Sequence, residues 1–251
     1  MKTKSSYKSF DEILRAYIDK ESEERKKFTD NQWWWASDLG LCRRKQFFRR
    51  LEVKPTEKKE YRIQFLGKDG SAMHEWREKA AQEMNCVVES EYSMKDKKLH
   101  YKGRFDVLVR LKSGLSLIDI KTQRPEAFFR RRKLPLKERI SRFQKLQLAS
   151  YVYFAKKKWP ELKEARLHFV DRGGGVREEY IFHFSEKMFE KVLTELKELN
   201  KYWAKKEFPN VKRDWLCRYC PYKSICRTVD SQKSTFKQIK KEYGYRKESK
   251  T

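Results

Sequence analysis

Two aspartates and a lysine, Asp106, Asp119 and Lys121, lie in the stretch YKGRFDVLVRLKSGLSLIDIK, which reads as two strands joined at Ser113-Gly114. A two-residue loop there opposes Lys112 to Leu115, Leu108 to Asp119 and Asp106 to Lys121, and opposed residues share a face. Asp106 is then a diagonal neighbour of Asp119, roughly 7 to 8 Å away at the backbone, and both can reach one cation. Lys121, two residues beyond Asp119, joins them, while Ile118 and Ile120 turn the other way into a core. Two carboxylates supply oxygens for Mg²⁺ or Mn²⁺, which polarises a phosphoryl group, orients water and lowers its pKa. A neighbouring lysine can stabilise charge developing on the phosphoryl oxygens, or position and deprotonate the water. An odd loop without a bulge would put the two acids on opposite faces.

A second set is Cys217-x2-Cys220-x5-Cys226, with Pro221 after the second cysteine and Cys42 far upstream. Four thiolates can hold a 4Fe-4S cluster or structural zinc. The x5 gap and the distant fourth ligand do not match a local zinc knuckle, and a metal here would join both ends of the fold. Cys86 reads as a buried thiol.

The elements that must position these residues follow in order. Ser9 and Glu12 cap an amphipathic helix over 10–27. Trp33-Trp34-Trp35 offers either core packing or stacking surface for unpaired bases. Ser37 and Asp38 open a short helix carrying Cys42 among Arg43, Arg44, Lys45, Arg49 and Arg50. Residues 60–84 form a helix carrying His74, with Gly67 and Gly70 as possible breaks, and 86–92 form the first strand. Pro125 starts a helix bearing Phe128, Phe129 and the cationic run Arg130 to Lys133, a candidate phosphate track. A helix over 135–157 places Gln147 and Tyr151 on one face. Strands near 165–171 and 176–183 precede a helix from Ser185 to about 207, and the lysine-rich last 25 residues read as a mobile tail.

The chain has 251 residues and a formal charge of +26, from 62 Lys and Arg against 36 Asp and Glu, which favours a polyanionic partner, foremost nucleic acid. The start lacks the apolar core of a signal peptide and no run is long enough to span a bilayer, so the expectation is a cytoplasmic protein without membrane attachment, or one of the host cytoplasm if phage-encoded. No G-x-x-x-x-G-K-[ST] loop is present, so a helicase motor would have to be another chain.

Cys42, His74, Gly103-x-x-Asp106, Asp119-Ile120-Lys121, Gln147-x3-Tyr151 and the C-terminal cysteines occur in an order that resembles RecB-like PD-(D/E)XK nucleases with an iron-sulfur cluster. The likeness is to the compact CRISPR-associated exonucleases of that group and to the nuclease domain of AddB. It implies an α/β restriction-endonuclease-like core with a mixed central sheet flanked by helices. His74, Asp106, Asp119 and the Ile120 carbonyl would bind Mg or Mn, Lys121 would be the catalytic lysine, and Gln147 and Tyr151 would lie near the scissile phosphate. Cys42, Cys217, Cys220 and Cys226 would hold a 4Fe-4S cluster. Asp119 stands where many members have glutamate.

The expected organisation is a helical extension over 1–35, a nuclease domain over 36–228 and a basic mobile tail over 229–251. The expected activity is metal-dependent hydrolysis of DNA, as an exonuclease preferring single-stranded ends, in DNA repair, recombination, phage replication or CRISPR adaptation. A separate helicase or integrase chain is a candidate partner. The alternatives are a non-catalytic nucleic-acid-binding module with structural zinc and an RNA-processing nuclease.

Overall fold

The computed structural model describes residues 9–27, 32–57, 61–162, 164–173 and 175–244. Helix α1 (Phe10–Lys27) starts at Ser9, whose Oγ accepts the Glu12 N–H at 3.2 Å. Strand β1 (Trp34–Trp35) and a 3-10 turn lead to α2 (Arg43–Arg50), then α3 (Tyr61–Glu83). Strands β2 (Val87–Ser90), β3 (Ser93–Asp96), β4 (Tyr101–Arg104), β5 (Val107–Leu111) and β6 (Gly114–Gln123) follow. Helices α4 (Pro125–Arg132) and α5 (Arg142–Ala155) then cross to β7 (Glu164–Asp171) and β8 (Arg177–His183), and α6 (Glu186–Lys205), α7 (Lys223–Gln232) and α8 (Phe236–Tyr243) complete the chain. Among the described residues no helix is long and apolar enough to cross a membrane.

A five-stranded mixed sheet, ordered β2-β5-β6-β7-β8, is parallel only at β6/β7. Parallel neighbours need a long crossover, which α4 and α5 supply. A smaller sheet, β1-β4-β3, stands beside it. The stretch expected as one strand from Tyr101 onward therefore serves two sheets, parting at Phe105 and Asp106, and β3 pairs with β4 where no strand was expected.

The hairpin register differs from expectation by two residues: Leu111 opposes Gly114, so Lys112 and Ser113 form the turn. Gly114 has φ +112, a conformation costly for any side chain, and glycine is favoured at the last position of a tight turn. The loop stays even, so Asp106 and Asp119 keep a common face, and continuing the register puts them directly opposite one another.

That face also carries the buried Leu115 and Leu117 and lies under α5. Ile118, Ile120 and Thr122 take the other face, where α3 approaches so closely that a Cβ on Gly70 would lie 3.0 Å from Thr122 Oγ1. The acids were expected opposite the core; instead they share a covered face, and Asp119 is only 2 % exposed.

Three further expectations are corrected. Gly67 and Gly70 do not break α3. The main helix after Pro135 begins only at Arg142, behind a capping box in which Ser141 Oγ accepts the Gln144 N–H and Gln144 Oε1 accepts the Ser141 N–H. The segment expected as a mobile tail forms the end of α7 and α8: Phe236 and Ile239 are buried, and Phe236 packs on Phe208, Trp203 and Phe47 with centroids 4.7, 5.2 and 5.8 Å away. Residues 245–251 of that tail lie outside the described residues.

Candidate active site

Asp106 sits between β4 and β5, just short of the pairing that starts at Val107. The open position it leaves beside β6 is filled by its own side chain: Asp106 Oδ2 accepts the Ile120 N–H at 2.6 Å. The N–H and C=O of one strand residue point to the same side, so the Ile120 carbonyl faces this opening too. Gly103, three residues earlier, is a close-approach position, since a Cβ there would lie 2.3 Å from the Tyr101 hydroxyl oxygen and 3.1 Å from Ala36 Cβ.

Helix α3 brings His74 to this point, with Nδ1 3.7 Å from Asp106 Oδ2. Glu78, one turn further along the helix, joins them: His74, Glu78 and Asp106 each offer a ligand atom within 4.8 Å of the others. Sequence reasoning missed Glu78, although the spacing His74-x3-Glu78 puts both residues on one helix face. Arg172 ties the helix to the sheet, donating to the Leu66 carbonyl at 2.6 Å and to Thr122 Oγ1 at 3.0 Å.

From the other side α5 supplies Gln147 and Tyr151. Lys121 Nζ lies 2.8 Å from Asp119 Oδ2 and donates to Gln147 Oε1 at 3.2 Å, while Gln147 Nε2 donates to the Tyr151 hydroxyl at 2.8 Å. Among the described residues Asp119 Oδ2 is buried and accepts no hydrogen bond of sound geometry, with the Lys121 ammonium 2.8 Å away.

The electrostatics follow from crowding. Burial and the facing Asp119 carboxylate raise the Asp106 pKa, against the Ile120 N–H and Lys121, which lower it. Burial also pushes Glu78 up to about 7, helped by Glu91 and opposed by Arg104. Burial lowers His74, and the Lys121 charge adds to the effect, so its imidazole is neutral at pH 7 and has a lone pair to give. An under-bonded carboxylate oxygen, two acids held above their ordinary range and a neutral imidazole make a donor set that fits a hard divalent cation. Burial raises Tyr151, with Asp119 adding, which keeps its hydroxyl protonated.

The four cysteines named from spacing also converge. Cys42 precedes α2, Cys217 and Cys220 lie on and just after a 3-10 turn, and Cys226 is on α7. Burial raises the Cys42 thiol, with Cys226 and Cys220 near enough to add to the shift; burial likewise raises Cys220, with Cys226 and Cys217 adding and Lys45 opposing. Arg44 crosses between the two chain segments, donating to Cys226 Sγ at 3.3 Å, to Asp230 at 2.5 Å and to the Pro209 carbonyl at 3.1 Å.

The cationic run on α4 divides. Arg131 is buried, with its guanidinium 3.8 Å from the Phe169 ring centroid, an ion pair to Glu178 at 3.1 Å and a hydrogen bond to Gln123, so it belongs to the core and not to a phosphate track. Arg130, Arg132 and Lys133 remain exposed.

A search of curated proteins returns no match. Among solved structures, SSO0001 has a TM-score of 0.51 at 21 % identity, over 85 % of this chain and 96 % of its own. The alkaline exonuclease LHK-Exo from Laribacter hongkongensis has a TM-score of 0.51 at 10 % identity, over 84 % of this chain and all of its own. At these identities the likeness is one of fold. The family model described as the PD-(D/E)XK nuclease superfamily matches residues 2–227, reaching into the N-terminal helix that the motif resemblance left out. The chain belongs to the PD-(D/E)XK nuclease superfamily.

Proposed function

We propose that the chain is a Mg²⁺- or Mn²⁺-dependent deoxyribonuclease acting on single-stranded ends, with His74, Asp106, Asp119 and the Ile120 carbonyl as metal ligands and Lys121 as the catalytic lysine. The observation that carries the reading is the convergence of Asp106, His74 and Glu78 at the open edge of β6, beside the Asp119–Lys121 pair. When bound, the cation would polarise the phosphodiester and lower the pKa of an attacking water.

The chain's own groups do the rest. Asp106 and Asp119 would hold the cation with their carboxylates, its charge offsetting their mutual repulsion, and neutral His74 would offer a nitrogen without competing for a proton. Lys121 moves from its contact with Asp119 toward the phosphoryl oxygens, where it stabilises developing negative charge or orders the water. Gln147 holds Lys121 on course and is itself held by Tyr151. Glu78, within 4.8 Å of His74 and Asp106, would accept a proton from water at the same opening.

For the cysteines we favour a 4Fe-4S cluster with a structural role. The support is the spacing in the sequence, where the x5 gap and the distant Cys42 do not match a local zinc knuckle, together with the nearness of Cys226 and Cys220 to Cys42. Iron, sulfide and zinc analysis of anaerobically purified protein tests this: iron and sulfide in equal amounts support it, and zinc without iron overturns it.

The activity is tested with end-labelled single-stranded DNA, duplex DNA and single-stranded RNA in Mg²⁺ and Mn²⁺. Progressive shortening of single-stranded DNA from an end is the expected result. Faster cleavage of RNA would favour an RNA-processing enzyme, and salt-sensitive binding with no cleavage a non-catalytic module.

A further inference from the structure

The tryptophan triplet and the small sheet have no part in the hydrolytic centre, yet they adjoin it. On β1-β4-β3 the side chains alternate. Trp34, Met94 and Tyr101 face inward and are buried, at 1 %, 5 % and 0 % exposure. The opposite parity, Trp33 and Trp35 with Lys102, Arg104 and Lys95, faces outward, and the pairings Trp35 to Lys102 and Lys102 to Lys95 set three of these residues in one row. Lys102 Nζ stands 4.6 Å from the Trp35 ring centroid and Lys95 Nζ 5.8 Å from that of Trp33.

At one end of this face Arg104 pairs with Glu91. The Glu91 N–H donates to the Asp106 carbonyl at 2.8 Å, so this end of the face adjoins the proposed metal site, at most about 13 Å of extended chain from Lys102 to Asp106. At the other end, around the edge strand β1, a recess with room for about one water is lined by the three tryptophans, Asp38, Gln46, Arg49 and Arg50. There the Arg50 guanidinium is held between Trp34 and Trp203, 4.3 Å from each ring. Arg50 Nη1 and Gln46 Oε1 are buried without hydrogen bonds, and Gln46 is only 5 % exposed. Arg49, Arg50, Lys95, Lys102 and Arg104 outnumber Asp38 and Glu91, each of which is already bonded to one of the five.

Cations alternating with indoles along an open sheet face suit a polyanion whose flat groups are free to stack. A duplex hides its base faces, whereas an unpaired strand presents them. We propose that this face is the path of a single DNA strand leading to the hydrolytic centre, with bases stacked on Trp35 and Trp33 and phosphates held by Lys102, Lys95 and Arg104. The proposal deepens the nuclease reading and rests on it for the direction of the strand.

The test is fluorescence anisotropy of the full chain with a labelled 12-nucleotide thymidine strand and a 12-base-pair duplex, in EDTA across a range of salt. Trp35→Leu is expected to weaken strand binding about ten-fold while changing duplex binding less than two-fold. Lys95→Glu, at an exposed position where folding is not at stake, is expected to weaken strand binding several-fold and to reduce the salt slope by roughly 0.7 or more. Wild-type affinity and slope in Lys95→Glu and Lys102→Glu would overturn the path. So would equal weakening of strand and duplex by Trp35→Leu. Because metal is withheld, the result stands apart from the cleavage assay: a chain that binds through this face but never cuts DNA would refute the nuclease reading alone.

Discussion

The Lys121 ammonium donates to Gln147 Oε1 at 3.2 Å, so the strand that carries the lysine does not alone decide where its charge stands. A helix from the crossover does: it starts at its own capping box, and the Gln147–Tyr151 bond within it orients the Gln147 side chain. Without Gln147, Lys121 would keep its contact with Asp119 and rest against a proposed metal ligand.

Gln147→Leu is therefore expected to lower kcat by about ten-fold or more, the scale of losing one positioned polar contact, with little change in KM. Single-turnover rates against DNA concentration separate the two effects. An unchanged kcat would mean that Lys121 needs no partner on α5.

The raised acids give the metal-free protein a characteristic pH dependence. Asp106 and Glu78 hold protons in the fold that the unfolded chain releases, with Glu78 at about 7. Stability from them is complete below the ordinary carboxylate pKa near 4 and is lost as pH rises through their folded values. In EDTA, Asp106→Asn should melt higher than wild type at pH 8.5, by on the order of 3 °C, with the difference gone near pH 4. Mn²⁺ should reverse the order at pH 8.5, because only the wild type keeps the full ligand set. A difference independent of pH would contradict the crowding of these acids.

Much of the site was legible because face parity is robust. The hairpin register moved by two residues, yet Asp106, Asp119 and Lys121 stayed together, since a shift of two restores every side chain to its face. The register itself was misread because Ser113-Gly114 looks like a turn centre, whereas Gly114 is the residue just after the turn. Glu78 escaped notice because His74 drew attention as a single ligand and its helical neighbour four residues on was not weighed with it. The small sheet is hidden because the stretch from Tyr101 to Val109 alternates like one strand, and only tertiary packing parts it at Phe105 and Asp106.

The C-terminal helix was hidden by its charge. Lysines dominate the segment, but Thr235-x-x-Gln238 is a capping box and Phe236 and Ile239 fall on one face. Phe236→Ala should cost about 3 kcal/mol of stability and lower Tm by roughly 6 to 12 °C, as expected for emptying a large buried aromatic site. Thermal melts of the full chain check this. A shift under 1 °C would mean that the aromatic cluster around Phe47 does not need α8.

The most direct test of the central claim is the single-turnover rate at which end-labelled single-stranded DNA is shortened in Mn²⁺, compared between wild type and Asp106→Asn. The substitution keeps an acceptor for the Ile120 N–H but removes the charge that would hold the cation. A loss of about 1,000-fold or more is expected, on the scale of removing a principal electrostatic element from a hydrolytic centre. Equal rates would contradict the assignment of this cluster as the hydrolytic centre.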